Sequence, residues 1–350
     1  MSIIINILVL ILIMGFLILI HELGHFLWAK KFGVYIYEFS IGMGPVLKTI
    51  KGKDGINYSI RAFPIGGFVQ MAGEVYEDDN KIPQEKFMCN KPWWQRLIIL
   101  LAGVTNNFIC ALVLLFLIAC FFGAPNQEPI IDSVTEEFPF AEAGITSGDK
   151  IISVNDKKTK TWDKVQILLI LKSKDDVYKI GIEHEDGSTD TYDITPKATK
   201  NEDGDDVKVF GVSMKSEVKK GFLSSLKYAF TKFGSLVSQM MYTIGGLFTG
   251  KLSVNSLSGP VGIYSIVGST LKTGLANIIY LVAFLSLNLG FVNVLPFPAF
   301  DGGRVLFILI EKIIRRPIDS KIENAFHTVG FILIMLLMVY ITFHDIIKLF

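Results

Sequence analysis

Long apolar stretches alternate with polar segments along this chain. Between Ile3 and Ile20 the only polar side chain is Asn6. Three later stretches are also long and apolar, namely Leu97–Phe122, Leu275–Leu295 and Val329–Phe343. Because about 20 residues of helix cross the hydrocarbon core of a bilayer, the pattern predicts a polytopic α-helical membrane protein with about four transmembrane helices.

The first apolar stretch has the alternative interpretation of a signal peptide. No Lys or Arg precedes it, and no cleavage site of small residues follows it before His21. We therefore expect a retained transmembrane helix.

The segment between the first two predicted spans has the alternation and β-branched content of strands. Gly-Pro and Lys-Asp-Gly turns separate four such runs, at Tyr35–Ile41, Leu47–Ile50, Tyr58–Phe63 and Gly67–Met71. The pattern predicts a small β-rich segment beside the first span, with an irregular loop as the alternative.

The stretch from Pro125 to Met214 is polar enough for a water-exposed domain. It predicts short strands near Pro129–Val134, Lys150–Val154, Tyr178–Ile182, Thr191–Thr195 and Lys208–Ser213, with one amphipathic helix near Trp162–Leu171. This mixture indicates a compact α+β domain. The following segment, Gly221–Phe248, is periodic and amphipathic, so it is either a helix on the membrane surface or a helical linker.

Composition supports the membrane interpretation and excludes several other classes of protein. Hydrophobic residues make up 51% of the chain and charged residues 19%, and the net charge is +1 without a basic block, so we expect no nucleic-acid partner. Cys89, Cys110 and Cys120 show no paired spacing, which argues against a disulfide framework or a cysteine zinc site.

The distribution of Lys and Arg predicts the orientation in the membrane. These residues are frequent between the first two spans, from Lys30 to Arg96, and between the last two, from Arg304 to Lys321. By the positive-inside rule, loops 31–95 and 304–325 face the cytoplasm, so both termini and the α+β domain lie outside.

The candidate chemistry begins with His21-Glu22-Leu23-Gly24-His25 at the end of the first apolar run. Two histidines four residues apart share one face of a helix and can bind one metal ion. The glutamate between them can take a proton from the attacking water. The alternative is that the span ends at Ile20 and these residues are interfacial, although Phe26-Leu27-Trp28-Ala29 continues the apolar run.

A catalytic zinc site usually has three protein ligands, so a third is needed. The candidates are Asp301, His327, His344 and other acidic residues near a span. Pro296 and Pro298 break the third span just before Asp301, and irregular backbone at membrane depth is tolerated where it lines a wet cavity. The alternative role for Asp301 is to cap the helix that follows it.

At these motifs the chain resembles the site-2 protease class of intramembrane metalloproteases, in particular bacterial RIP metalloproteases of the RseP type. The resemblance covers nearly the whole chain and rests on motifs in the family's order: His21–His25, Pro64–Val69 with Gly73-Glu74, Ala102–Phe108, Leu257–Gly262, Asn293 with Pro296, and Phe300–Gly303. Val104 stands where the family usually has Pro, which concerns the local backbone and not the chemistry, and Phe300 stands where it has Leu, which leaves the acidic residue Asp301 intact. Ala141–Ile145 and Gly148–Asn155 resemble a single PDZ domain.

The resemblance implies a zinc endopeptidase in which His21, His25 and Asp301 bind Zn²⁺ and Glu22 is the general base. It further implies that Asn293 is catalytic, contacting the substrate carbonyl or the oxyanion, with helix packing as the alternative; the role of Asn107 stays open. Implied substrates are single-span membrane proteins, such as anti-sigma factors or remnant signal peptides, with a peptide tail or ectodomain meeting the PDZ domain.

The implied organisation is an N-terminal membrane domain (1–124) with a cytoplasmic-side β-rich segment, an inserted PDZ domain (125–215), an interfacial linker helix (216–260) and a C-terminal membrane domain (261–350), all in the bacterial inner membrane. An extended substrate would lie along an edge strand near Phe68–Met71. Rival classes are a catalytically inactive PDZ-bearing scaffold, which the intact Glu22 disfavours, and a transporter, for which we find no inverted repeats. A soluble-type zinc protease on a membrane tether would instead carry the motif in its polar domain.

Overall fold

A computed structural model describes residues 3–74, 82–171, 176–200, 206–215, 217–253, 257–316 and 318–347. The helices are α1 (Ile3–Lys31), α2 (Trp93–Phe122), α3 (Pro139–Glu142), α4 (Trp162–Ile170), α5 (Phe222–Phe248), α6 (Pro260–Thr270), α7 (Leu275–Val294), α8 (Asp301–Ile314) and α9 (Ser320–Ile347). Two 3₁₀ turns lie at Gln84–Lys86 and Met88–Asn90.

The β-strands within the described residues are mostly short. They are β1 (Ile36–Lys51), β2 (Asn57–Met71), β3 (Ala124–Pro125), β4 (Ile131–Val134), β5 (Lys150–Val154), β6 (Lys157–Lys158), β7 (Tyr178–Glu183), β8 (Thr189–Ile194), β9 (Lys197–Lys200), β10 (Asp206–Val209), β11 (Val212–Met214) and β12 (Val218–Lys219).

The helices α1, α2, α7 and most of α9 are long and apolar enough to cross a membrane, which confirms the predicted four candidate spans. The first helix does not end at Ile20. Helix α1 continues through the histidine motif to Lys31, because Phe26-Leu27-Trp28-Ala29 extends its apolar character. The ionisable residues of the motif therefore lie within a continuous apolar helix.

The chain divides into two compact units, one formed by residues 1–114 and 258–350 and the other by residues 115–257. In the first unit, β1 and β2 form the predicted β-rich segment, but as two long strands where the sequence predicts four short ones. Gly42, Gly44 and Gly66 take positive φ angles of 87°, 83° and 80°, so the strands bend at these glycines without ending.

The register of this sheet places Gly67–Met71 at one of its two edges. Phe39 of β1 lies opposite both Val69 and Tyr58, so the first half of β1 is flanked by both halves of β2. The segment Gly67–Met71 is therefore on the outside of the sheet. Val69 and Met71 are buried in a core with Phe26, Ala29 and Ile99, which packs the sheet against α1 and α2.

The second unit has the α+β composition that the sequence predicts. A four-stranded sheet in the order β6-β5-β7-β8 and a β4–β11 pair enclose a core that includes Ile131, Phe140, Val165, Tyr178 and Phe210. The single predicted strand Lys208–Ser213 is instead β10 and β11, separated at Gly211, whose φ of 75° turns the chain beside the Phe138 ring.

Helix α5 is part of this second unit. Thr161 Oγ1 and Ser235 Oγ are hydrogen-bonded at 2.9 Å, and Lys232 forms a salt bridge of 2.7 Å with Asp163 at the start of α4. The opposite face of α5 leaves large apolar side chains exposed, namely Phe222, Leu223, Phe230, Met241 and Phe248.

Candidate metal centre

The two histidines of α1 converge on one point, as their spacing predicts. His21 and His25 are 7% and 6% exposed, and their Nε2 atoms are 3.2 Å apart. Both rings lie on the side of α1 that faces the protein, together with Gly24 and Ala29. The remainder of the helix is largely apolar and half-buried or exposed, and several large apolar side chains, such as Leu8, Leu12 and Phe16, are exposed as expected for contact with lipid.

Asp301 completes the cluster as the first residue of α8. Its Oδ2 atom lies 3.0 Å from Nε2 of His21 and 3.4 Å from Nε2 of His25. Among the described residues, no partner reaches this buried oxygen with hydrogen-bond geometry. Burial raises the pKa of the Asp301 carboxyl, but the two imidazoles outweigh burial and bring its pKa below the ordinary value.

The loop before α8 fixes the position of Asp301. Residues 295–300 connect α7 to α8, and Ala299 takes a positive φ of 75°. The N–H group of Ala299 donates to Nδ1 of His327 at 3.0 Å. Gly302 and Gly303 pack directly against the carbonyl groups of Leu295 and Phe297, where a β-carbon would collide. Asp301 is thus held by backbone contacts on both sides.

The three ligand atoms have the separations that a tetrahedral metal site requires. Zinc bonds of about 2.0–2.1 Å give tetrahedral edges of about 3.3–3.4 Å, and the observed separations are 3.0, 3.2 and 3.4 Å. Two imidazole nitrogens and one carboxylate oxygen form a donor set typical of catalytic zinc. His21, His25 and Asp301 therefore fit a zinc ion.

Helix α2 forms the wall behind the histidines. Nδ1 of His25 donates to the carbonyl of Ile99 at 2.8 Å, which leaves the lone pair of Nε2 free for a metal. Gly103 has no side chain, and a β-carbon there would meet the rings of His25 and His21. Gly24 packs in the same way against the backbone at Ala102.

Glu22 lies beside the three candidate ligands and is not part of the group that could hold a metal ion. Its Oε2 atom accepts a hydrogen bond of 3.2 Å from the N–H group of Val69, in the edge segment Gly67–Met71. One carboxylate oxygen is thus fixed against the strand, and the side chain stays next to the cluster. This arrangement suits a residue that accepts a proton at the site.

The other candidates lie apart from the three ligand atoms. His327 contacts the loop at Ala299, as described above, and half-buried His344 lies near the end of α9. Asn293 is half-buried in the last turn of α7, and no described hydrogen bond joins it to the cluster.

Sequence reasoning missed two groups of supporting residues. Arg304, one turn after Asp301, pairs with Glu74 at 2.5 Å and ties α8 to the end of β2. Arg96 pairs with Glu311 at 2.6 Å and ties α2 to α8. The ion pairs join residues more than 200 positions apart, so no local pattern predicts them. The sequence offered one indication of these pairs, which is that Arg304 follows the candidate ligand Asp301 by three residues.

An apolar helix with a buried His₂Asp cluster and an adjacent glutamate defines a membrane-embedded metalloprotease. The sequence model of peptidase family M50 matches residues 9–337. The chain is 31% identical to the regulator of sigma-W protease RasP of Bacillus subtilis, and to the zinc metalloprotease RasP of Bacillus licheniformis, over 97% of this chain and 98% of each relative. It is 36% identical to a putative zinc metalloprotease of Clostridium perfringens over 95% of both chains.

The chain belongs to peptidase family M50, the site-2 protease family. It is a zinc metalloprotease and an integral membrane protein.

Proposed function

We propose that this protein hydrolyses peptide bonds within or next to the transmembrane segments of single-span membrane proteins. The observation that carries the proposal is that His21 and His25, on the buried face of apolar helix α1, form a cluster with Asp301 of α8. A substrate bond reaches such a cluster only if the bond is itself near the hydrocarbon region.

In this proposal His21, His25 and Asp301 hold the zinc ion. When bound, zinc supplies a Lewis acid that polarises the scissile carbonyl and the attacking water. Glu22 takes the proton of the attacking water and returns it to the leaving amine, which contributes about 10²–10⁴-fold to the rate. The hydrogen bond from Val69 holds Glu22 in place for both transfers.

The edge segment Gly67–Met71 is a candidate for binding the substrate. A helical substrate must unwind before its peptide bond is accessible, and an exposed strand edge can hold an extended segment by backbone hydrogen bonds. The contact between Val69 and Glu22 means that a chain bound along this edge lies next to the general base. Asn293, near the end of the helix that leads to Asp301, is proposed to hydrogen-bond the substrate carbonyl or the oxyanion.

The second unit is proposed to be a PDZ domain. Strand β11 pairs with β4 on one side only within the described residues. A groove of about 850 Å³ runs between α4 and the β10–β11 strands, with Trp162, Leu169 and Phe210 in its walls. An open strand edge beside a helix is the geometry by which such domains add a peptide strand.

The name of one relative supports a substrate class. The Bacillus subtilis relative is named a regulator of sigma-W protease, which supports anti-sigma factors as substrates here, whereas remnant signal peptides are proposed from the family resemblance alone. The Lys and Arg asymmetry supports an orientation with both termini and the second unit outside. In a cysteine-free background, a reagent that cannot cross the membrane should label a cysteine at exposed Ser188 in intact cells and not one at exposed Lys53. The reverse labelling would overturn the orientation.

The substitution Glu22→Gln tests the proposed chemistry. Since Glu22 is not a ligand, the purified variant should retain about one zinc per chain and lose cleavage of a single-span reporter by about 10²–10⁴-fold. Asp301→Ala is the matched variant, which should lose zinc as well. Wild-type cleavage by the Glu22 variant would refute the assigned role.

A further inference from the structure

Asn107 places a buried amide against the first histidine of the cluster. The residue lies on α2 and is 0% exposed. Its side-chain amide is 3.2 Å from Nδ1 of His21. The other ring nitrogen of His21, Nε2, faces His25 and Asp301. Asn107 therefore touches the side of the His21 ring that points away from the ligand cluster.

A histidine that binds a metal through one ring nitrogen needs a hydrogen-bond acceptor at the other. If Nε2 of a neutral imidazole binds a metal, Nδ1 carries the proton and needs an acceptor. The end of the Asn107 amide that faces Nδ1 of His21 is its NH₂ group, Nδ2. An NH₂ group is a hydrogen-bond donor, so it cannot accept the Nδ1–H proton. The Oδ1 atom of Asn107 is buried and has no partner among the described residues. Because the two ends of an amide have almost the same shape, a 180° rotation places Oδ1 opposite Nδ1.

We propose that Asn107 is a positioning residue whose Oδ1 atom accepts the Nδ1–H proton of His21. This hydrogen bond sets the tautomer of His21 and the orientation of its ring, so that the Nε2 lone pair is directed at the metal. The inference rests on the proposed ligands His21, His25 and Asp301. It concerns the hold of the protein on zinc and involves no contact of Asn107 with the substrate.

Helix α2 would then supply the acceptors for both histidines from one face. Ile99, Gly103 and Asn107 follow each other at intervals of four residues, which aligns them along one side of the helix. The carbonyl of Ile99 accepts from His25, Gly103 gives space to both rings, and Asn107 faces His21. The two acceptors thus bracket the histidine pair.

Asn107 is itself held in place by α7. The hydroxyl of Ser286 donates to the backbone carbonyl of Asn107 at 2.9 Å, and both residues are 0% exposed. Gly290, one turn further along α7, leaves room, since a β-carbon there would approach Asn107 Cβ to 3.2 Å. Such fixed outer contacts of metal ligands typically change metal affinity by about 10–100-fold when removed.

Three variants of the full-length protein, purified in detergent, test this role. Asn107→Leu removes the acceptor at similar size, and Asn107→Asp keeps an acceptor oxygen at the same place. Asn106→Leu is the matched control, because Asn106 also contacts α1, where its amide donates to the carbonyl of Ile20 at 3.1 Å. The zinc dissociation constant is measured by competition with a chelating dye, independently of proteolysis.

We expect Asn107→Leu to weaken zinc binding by about 10–100-fold, while Asn107→Asp and Asn106→Leu stay within about threefold of the wild type. If Asn107→Leu is not monodisperse, Asn107→Ala replaces it under the same criterion. The proposal is overturned if loss of the acceptor leaves the affinity within about threefold of the wild type, or if the Asp or the Asn106 variant is as weak as the Leu variant. The variant His21→Ala distinguishes a failure of the Asn107 proposal from a failure of the proposed ligands. If His21→Ala keeps zinc, the proposed ligand set is wrong.

Discussion

At the scale of single residues, the site depends as much on missing side chains as on ligands. Gly24 allows α1 to touch α2, and Gly103 leaves the space that the two imidazole rings occupy. Neither glycine has a positive φ angle, so the requirement is space rather than backbone freedom. The metal cluster is therefore sensitive to one methyl group on the facing helix.

Gly103→Ala should reduce zinc affinity by about tenfold or more, the range found when the orientation of a metal ligand is lost. The added β-carbon would meet Nε2 of His25 and Cε1 of His21, which must then shift. Gly234→Ala is the control, because it is also helical but has open space around it. Equal zinc affinities for the two variants would show that the rings have room to move.

At the scale of elements, one buried carboxylate joins the end of α9 to the start of α6. Asp345, in the last turns of α9, is 8% exposed and accepts hydrogen bonds of 2.9 Å from the N–H groups of Gly259 and Gly262. These groups lie at the start of α6, where the helix dipole also favours an anion. Both positions are glycine because a β-carbon would press on Asp345.

Asp345→Ala should lower the free energy of unfolding by about 1–3 kcal/mol, since one buried and one half-buried N–H donor lose their acceptor. The measurement is unfolding of the purified protein by increasing denaturing detergent. Asp132→Asn, at an exposed position on β4, serves as the control. If both variants unfold at the same detergent fraction as the wild type, the contact does not stabilise α6.

The elements that the sequence predicts are those with a local pattern. Four apolar runs and the His21–His25 spacing follow from residues close together in the chain. The choice of Asp301 over His327 and His344 as the proposed third ligand depended on the family resemblance. Residue patterns close to Asp301 do not indicate its position, because the loop that presents it folds against His327 and α9. The contacts of Asp345 with Gly259 and of Asn107 with His21 each span 86 residues, so they depend on tertiary packing that no local sequence pattern predicts.

At the scale of the whole molecule, the second unit offers no group to the proposed chemistry, because all three candidate ligands and Glu22 belong to the first unit. We propose that its role concerns which substrates are admitted. The unit would act either as a size filter that excludes bulky folded domains or as an affinity site whose groove binds a substrate tail. We favour the filter, because a protease in a crowded membrane needs exclusion more than affinity.

Deleting residues 127–213 with a short flexible join should leave cleavage of a short-tailed reporter intact and permit cleavage of the same reporter fused to a folded domain. Ile170→Asp, at an exposed position in the groove, is the companion variant and should change neither rate. An affinity role predicts instead a higher KM with similar kcat for the short-tailed reporter in both variants. No change on either substrate would exclude both roles.

The most direct test of the central claim is to map the bond that the protein cuts. The purified protein and a single-span reporter are placed together in lipid vesicles, and the fragments are identified by mass spectrometry, with the Glu22→Gln variant as the control. The account predicts one main zinc-dependent cut inside or at the edge of the apolar segment, absent from the control. A cut confined to the water-exposed tail, or the same fragments from the control, would contradict it.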